Sequence, residues 1–395
     1  MVIQRVGFVG WRGMVGSVLM QRMHQEQDFH RIAEPVFFST SQVGRATPSH
    51  IKNACTLQDA YDLDTLSRMH AIVTCQGSAY TEKIYPQLRR HGWKGYWIDA
   101  ASYLRMQPDT MIALDPINRP ALDQAIERGV NTFTGGNCTV SLLLMAIGPL
   151  LQNDAVEWIS SMTYQAASGA GSRHVRELLV QMGQVHQAVQ HSEQDGPRHI
   201  LDVDAAVAQC MQSKRFATHA FSTPLAGSLI PWIDDASELG QSKEEWKGSV
   251  ETNKILNRQS QPVPIDGTCV RVGTMRCHSQ ALTIKLKTDI PINDIENMIH
   301  HAHPWSCVVP NDPISTRKHL TPAAVHGTLQ VPVGRLRSMH MGPRFINAFT
   351  VGDQLLWGAA EPIRRLIDIL LNTPSHQKRV FSLTQATTKI KTCEA

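Results

Sequence analysis

The chain has no C-x-x-C pair, no apolar run long enough to span a bilayer, and no charged-then-apolar start. Each absence excludes a class. Eight cysteines are dispersed along 395 residues, so zinc-ligand spacing is missing and no metal site is expected. Scattered, unpaired cysteines fit a reducing compartment. A bilayer span needs about 20 apolar residues, and a secretory leader has its own charge pattern. With neither, the chain reads as soluble and cytoplasmic, with no membrane partner. Net charge is only +4, and the cations are scattered apart from a short basic tail. No nucleic-acid groove is indicated. Internal repeats are absent too. What remains is a length that favours two domains, with 42% apolar residues to fill their cores.

One cysteine stands in an informative setting. Gly135-Gly136-Asn137-Cys138-Thr139 precedes the apolar run 140–147. Two glycines let backbone approach a ligand closely. Asn137 is a good N-cap, and the run after Thr139 is long enough for a buried helix. Cys138 then sits at a helix start, where the macrodipole and unpaired N–H groups favour the thiolate. Those N–H groups can also hold an oxyanion formed when the sulfur attacks a carbonyl. The alternative is a buried structural cysteine, since an unreactive thiol packs as a small hydrophobe.

The N-terminus shows a second pattern. Residues 4–9 read as a buried strand, followed by Gly10, Gly13 and Gly16 and an amphipathic helix from Val15. The glycine spacing, G-x-x-G-x-x-G, is a variant of the dinucleotide fingerprint. A plain tight turn between strand and helix is the alternative. The next strand, residues 35–38, ends in Ser39 and Thr40, where NAD-preferring sites place an acidic residue. Small hydroxyls with Arg12 nearby suit a 2′-phosphate, which favours NADP over NAD. The competing reading is a hydroxyl-capped loop.

Strand and helix patterns then alternate to about residue 130, which argues for a doubly wound parallel sheet. Gln76 and Arg105 fall on or near loops after strand ends, where such sheets bind ligands. Arg105 fits an anion clamp or, equally, a solvated surface arginine. Beyond the Cys138 helix the texture changes. Strands are expected at 157–167, 268–272, 275–277, 281–287, 307–309, 329–333 and 347–351. Helices are expected at 173–186, 244–256 and 292–301. The grouping suggests an α+β domain with a mixed sheet and one face open to a partner subunit. A last helix, 353–371, is expected to rejoin the first domain. Residues 187–223 resist placement, and the tail from 372 reads as mobile.

A cysteine nucleophile needs a proton carrier and a substrate anchor. Residues 271–278 supply candidates for both. Arg271 can grip a carboxylate through paired hydrogen bonds, and His278 can move protons. A histidine in a strand is also often a structural imidazole.

Five stretches together resemble the aspartate-semialdehyde dehydrogenase family, closest to the form found in Gram-negative bacteria. They are GFVGWRGMVG at 7–16, GGNCT at 135–139, YQAASG at 164–169, EEWKG at 244–248 and RVGTMRCH at 271–278. The resemblance runs over roughly residues 4–371. It implies a Rossmann-type NADP-binding domain at 1–137, completed by the helix 353–371, and a catalytic and dimerisation domain at 138–352. It further implies NADPH-dependent reduction of L-aspartyl-4-phosphate to aspartate semialdehyde with release of phosphate. That reaction feeds the synthesis of lysine and diaminopimelate, methionine, threonine and isoleucine. Carried over position by position, Cys138 is the thioester-forming nucleophile, His278 the acid/base, and Gln165 the residue that positions the acyl group. Arg271 and Glu244 hold the substrate's carboxylate and amino groups, and Arg105 and Lys247 its phosphate. Gly10, Arg12, Gly13, Met14, Val15, Ser39, Thr40, Gln76, Ser168, Gly169 and Gln354 contact NADP. A homodimer is implied as well. Reduction of another acyl phosphate, such as N-acetylglutamyl phosphate, stays open, as do a Cys-His hydrolase and a non-catalytic NADP-binding regulator.

Overall fold

The computed structural model describes residues 3–47, 56–193, 199–238 and 240–373. The chain divides into two compact units, Met1–Asn137 with Gly358–Ala395, and Cys138–Trp357.

The first unit is a parallel sheet of seven strands: β1 (Arg5–Val9), β2 (Glu34–Ser39), β3 (Gln58–Asp59), β4 (Ala71–Thr74), β5 (Tyr96–Asp99), β6 (Met111–Ala113) and β7 (Thr132–Gly135). Their order is β3-β2-β1-β4-β5-β7-β6. β4 is buried at every position, as is all of β1 after Arg5. A parallel sheet covered on both faces demands that. This is the Rossmann-type doubly wound sheet. The order reverses between β1 and β4, and the loops after their C-terminal ends carry Gly10 and Gln76.

The helix Glu361–Asn372 belongs to this unit, and buried charges fix it there. Arg364 bridges Asp28 and Glu361 at 3.0 and 2.9 Å, Arg22 reaches Glu361 at 2.8 Å, and Arg365 grips Asp115 through two nitrogens. A buried charge is tolerated when such partners satisfy it. The helix starts later than the sequence pattern suggests, after a π turn at Leu356–Ala360. Asp353, read as its first residue, instead accepts the Leu355 N–H in a local turn.

The second unit is a mixed sheet of eight strands: β8 (Val156–Gln165), β9 (Leu229–Ile230), β10 (Ile265–Asp266), β11 (Cys269–Val272), β12 (His278–Leu286), β13 (Ser306–Val308), β14 (Val331–Met339) and β15 (Gly342–Gly352). The order is β13-β14-β15-β12-β8-β11-β9, with β10 also on β8. The helix Cys138–Gln152 packs on β8, β12, β14 and β15 and is buried at every residue from Thr139 to Leu151. One sheet face carries Trp158, Met162 and Tyr164 of β8 beside Phe345 and Phe349 of β15, with Tyr164 stacked on Phe349.

Two expectations are corrected here. Residues 275–277 form no strand. Their stretch is a turn whose Thr274 and Met275 carbonyls accept from the Ala167 and Ser168 N–H groups, so no ladder forms. The stretch 187–223 is ordered where described: one helix runs Ser172–Glu193 and another Ile200–Gln212. Polar side chains of the first helix satisfy the loop that follows the second. Glu177 accepts from Ala220 and Phe221, Gln184 from Ala217, and Gln181 from Leu225 and Ala226. The tail read as mobile lies outside the described residues beyond 373.

Candidate active site

The residues singled out from sequence fall into two groups, one within each unit. In the first, the chain leaves β1 through Gly10 with φ +73°, a left-handed conformation that suits glycine. A Cβ there would meet the Gln76 backbone N at 2.5 Å, and one on Gly16 would meet the Gly10 carbonyl at 2.2 Å. The turn therefore tolerates no side chain at either place. The helix Met14–Gln25 starts directly after Gly13 with no acidic residue in its first turn, which leaves its N-terminus suited to an anion. Arg12 Nη2 donates to Ser39 Oγ at 3.1 Å, its guanidinium lies over the Trp11 ring, and it also bonds Gln42. Gly10, Arg12, Gly13, Ser39, Thr40 and Gln76 line one cavity with Trp11 and Phe38. Arg105 is also in this unit, buried, donating to the carbonyls of Gly135 and Ala100 at 2.8 and 3.1 Å.

In the second unit Cys138 is the first residue of its helix, and its Sγ lies 3.3 Å from His278 Nε2. The neighbouring geometry decides which ring nitrogen carries the proton. The Ala166 N–H donates to His278 Nδ1 at 3.0 Å, so Nδ1 is an acceptor. A neutral imidazole then keeps its proton on Nε2, facing the sulfur. The ring is fully buried, and burial first, then the Arg271 charge, lowers its pKa to about 3, against the Cys277 carbonyl. His278 is thus a neutral hydrogen-bond donor to Cys138.

Arg271 is 7% exposed and donates to the Ala166 carbonyl at 2.7 Å. Among the described residues no carboxylate forms an ion pair with it. Burial pulls its pKa down, opposed by Cys138 and Glu244. Gln165, buried at the end of β8, donates to Thr163 Oγ1 and to Glu244 Oε1 at 3.1 and 3.2 Å. Glu244 and Lys247 share the helix Lys243–Ile255, whose start is fixed by a capping box between Ser242 and Glu245. Lys247 Nζ lies 3.2 Å from Glu244 and 2.6 Å from Asp234. Burial works against its charge, but Glu244 and Asp234 outweigh it and raise its pKa. Gln354 Nε2 donates to Ser168 Oγ at 2.8 Å. A Cβ on Gly169 would come within 2.9 Å of Arg271 Nη1 and 3.1 Å of the His278 ring, so this glycine leaves room beside both.

Sequence reasoning missed Asp234, the Ala166 backbone and Gln280. Gln280 donates to the Thr139 carbonyl at 2.8 Å and so ties β12 to the start of the cysteine helix. Its spacing, two residues after His278, puts it on the same strand face, and that periodicity was the available signal. Nothing in the sequence near Asp234 marks it.

Two family models match the chain: "Semialdehyde dehydrogenase, NAD binding domain" over residues 5–125 and "Semialdehyde dehydrogenase, dimerisation domain" over residues 147–357. Among solved structures, aspartate semialdehyde dehydrogenase from Francisella tularensis is 45% identical, covering 92% of this chain and 99% of that one, with a TM-score of 0.88. Aspartate semialdehyde dehydrogenase II of Vibrio cholerae, complexed with ASA, is 24% identical, with coverage of 93% and 98% and a TM-score of 0.76. The Candida albicans enzyme with NADP is 14% identical, with coverage of 95% and 99% and a TM-score of 0.61. The last two show the fold alone. On the strength of the Francisella match and both family models, the chain belongs to the aspartate semialdehyde dehydrogenase family.

Proposed function

We propose that the protein reduces L-aspartyl-4-phosphate to aspartate semialdehyde with NADPH, through a thioester on Cys138. The observation that carries this reading is Arg271. A buried guanidinium with no carboxylate ion pair among the described residues, in the same unit as a cysteine–histidine pair, calls for an anionic ligand. A substrate carboxylate answers that demand, held by the two parallel hydrogen bonds an arginine offers. Glu244 takes the ammonium, and Gln165, bonded to Glu244, orients the acyl group. Lys247 and Arg105 are assigned to the phosphate.

Attack by the Cys138 thiolate on the acyl phosphate forms the C–S bond, and the C–O bond to phosphorus breaks as phosphate leaves. The Nε2 proton of His278 stabilises the thiolate before attack. It then stabilises the oxyanion that forms at the carbonyl and the sulfur that departs when the hemithioacetal collapses to aldehyde. When bound, the reduced nicotinamide supplies a hydride to the thioester carbonyl.

The residues of the first unit fit a dinucleotide phosphate. The glycine turn has room for backbone contact only, the helix start lacks acid, and Arg12 beside Ser39 suits a 2′-phosphate in place of a ribose-binding carboxylate. Met14 and Val15 belong to that helix start. Ser168, Gly169 and Gln354, all in the second unit, take the same role by family resemblance. The half-exposed aromatic face around Tyr164 and Phe349 is the surface we assign to a homodimer. The reaction places the chain in the synthesis of lysine, diaminopimelate, methionine, threonine and isoleucine.

The test runs the reaction backwards: aspartate semialdehyde oxidised with NADP or NAD, with and without inorganic phosphate. Nucleotide reduction that requires phosphate and prefers NADP is expected. Turnover without phosphate, or with N-acetylglutamate semialdehyde instead, would remove the assignment.

A further inference from the structure

We infer that the ion pair between Arg276 and Asp353 is a positioning clamp that sets His278 against Cys138. The inference rests on the reading of Cys138 and His278 as the reacting pair. It begins at Cys277, which is fully buried and adopts φ +78°. That backbone crowds a residue with a Cβ against its own carbonyl, and it persists only where surrounding structure over-determines it. The restraints lie on both flanks. After it, His278 pairs with Gly352 in the ladder between β12 and β15. Before it, Arg276 grips the next residue along, Asp353, through Nε to Oδ1 at 2.9 Å and Nη2 to Oδ2 at 2.8 Å. The Asp353 side chain is wholly enclosed and also accepts the Gly327 and Leu355 N–H groups at 2.8 and 3.0 Å. The Cys277 side chain itself packs among Val309, Leu320, Val325 and Val351.

Four proposed site residues hang from this arrangement. His278 follows the left-handed residue directly. Gln354 follows Asp353 and holds Ser168. The turn before Arg276 supports Ala167 and Ser168 through the Thr274 and Met275 carbonyls. Ala166, next to them, gives its N–H to His278 and its carbonyl to Arg271. Neither Arg276 nor Asp353 is assigned a contact with substrate. Their part is to hold the backbone from which the site side chains project.

The test uses Arg276→Lys, which keeps the charge but loses the paired bonds, and Asp353→Asn, which keeps the shape but loses the charge. Three quantities are read for each: kcat and KM for aspartate semialdehyde, the pH profile of Cys138 alkylation by iodoacetamide followed on its peptide, and the melting temperature. The clamp predicts a fall in kcat of about 100-fold with KM little changed, the size expected for a displacement of about 1 Å at a reacting pair. It also predicts an alkylation midpoint shifted to higher pH. An unchanged alkylation profile and kcat alongside a lowered melting temperature would overturn the inference and leave the pair a structural bond. Loss of folding in both variants would overturn it too. If the wild-type protein showed no dehydrogenase activity, the function would fall while the alkylation profiles still decided the clamp.

Discussion

The glycine turn of the first unit and the cysteine centre of the second are built by opposite means. The turn is contiguous. Its glycines act by lacking side chains, with added Cβ atoms meeting backbone at 2.2 and 2.5 Å, and Arg12 adds the one charge. The cysteine centre joins side chains from five separate segments, and its central pair is 140 residues apart. Local sterics hold the turn. Sheet register holds the centre, because Arg271 of β11 pairs with Gln165 of β8, and His278 of β12 pairs with Gly352 of β15. The turn should therefore fail through shape and the centre through chemistry.

The largest expected effect separates the two. Cys138→Ala removes the nucleophile and leaves every residue of the turn unchanged. Turnover should fall by about 10⁴-fold or more, the scale on which covalent catalysts lose activity without their nucleophile. NADPH affinity, read by the quenching of its fluorescence, should stay within a factor of about two, the ordinary scatter of a neutral change. A variant that retained turnover would end the thioester mechanism. One that lost nucleotide affinity as well would show that the two regions are not separable.

The same contrast explains what was legible in the sequence. The parallel sheet, the glycine turn and the Cys138 helix announce themselves in short windows, because strand runs, glycine spacing and a capped apolar run are local signals. The mixed sheet was readable in kind. Its turn at 275–277 was not, since the reason it is no strand lies in Ala167 and Ser168, more than a hundred residues earlier. The helix extension to Glu193 and the helix Ile200–Gln212 escaped for a related reason. Their order depends on Glu177, Gln181 and Gln184 bonding a loop some forty residues on, and a polar i, i+4, i+7 row reads from sequence as a solvated face. At the site, Arg271 and His278 were reachable through a specific motif. Asp234 binds Lys247 across a loop with no such signature.

A smaller effect probes the turn by its one charged side chain. Arg12→Gln keeps a donor beside Ser39 but removes the charge proposed to meet a 2′-phosphate. A hydrogen bond to a charged group contributes about 1.5–3 kcal/mol, so KM for NADPH should rise roughly 10- to 100-fold while KM for NADH stays put. Equal losses with both nucleotides would mean that Arg12 braces the turn through Ser39 and Gln42, and the preference for NADP would need another source.

The smallest effect compares how the two units answer acid. Each buries a titratable group, and the senses are opposite. Asp99, at the end of β5, has a pKa raised to about 6 by burial, against its bonds from Thr81 and Ala101. Between 3.8 and 6 the folded chain binds more protons there than the unfolded one, so this group favours folding as pH falls. His278 does the reverse. Its folded value of about 3 lies below the ordinary 6.5, so between those limits the unfolded chain takes a proton that the folded chain refuses. Its contribution is complete above pH 6.5 and is lost as pH falls toward 3, with a slope of at most about 1.4 kcal/mol per pH unit. His278→Asn deletes that slope and leaves Asp99 in place, so the difference between wild type and variant isolates the histidine. Urea unfolding at pH 7.5, 6.0 and 5.0 should show the wild type losing more stability on acidification than the variant. Parallel losses would mean that the folded ring titrates normally and gains its second proton near pH 6.5, on the Nδ1 at which the Ala166 N–H points.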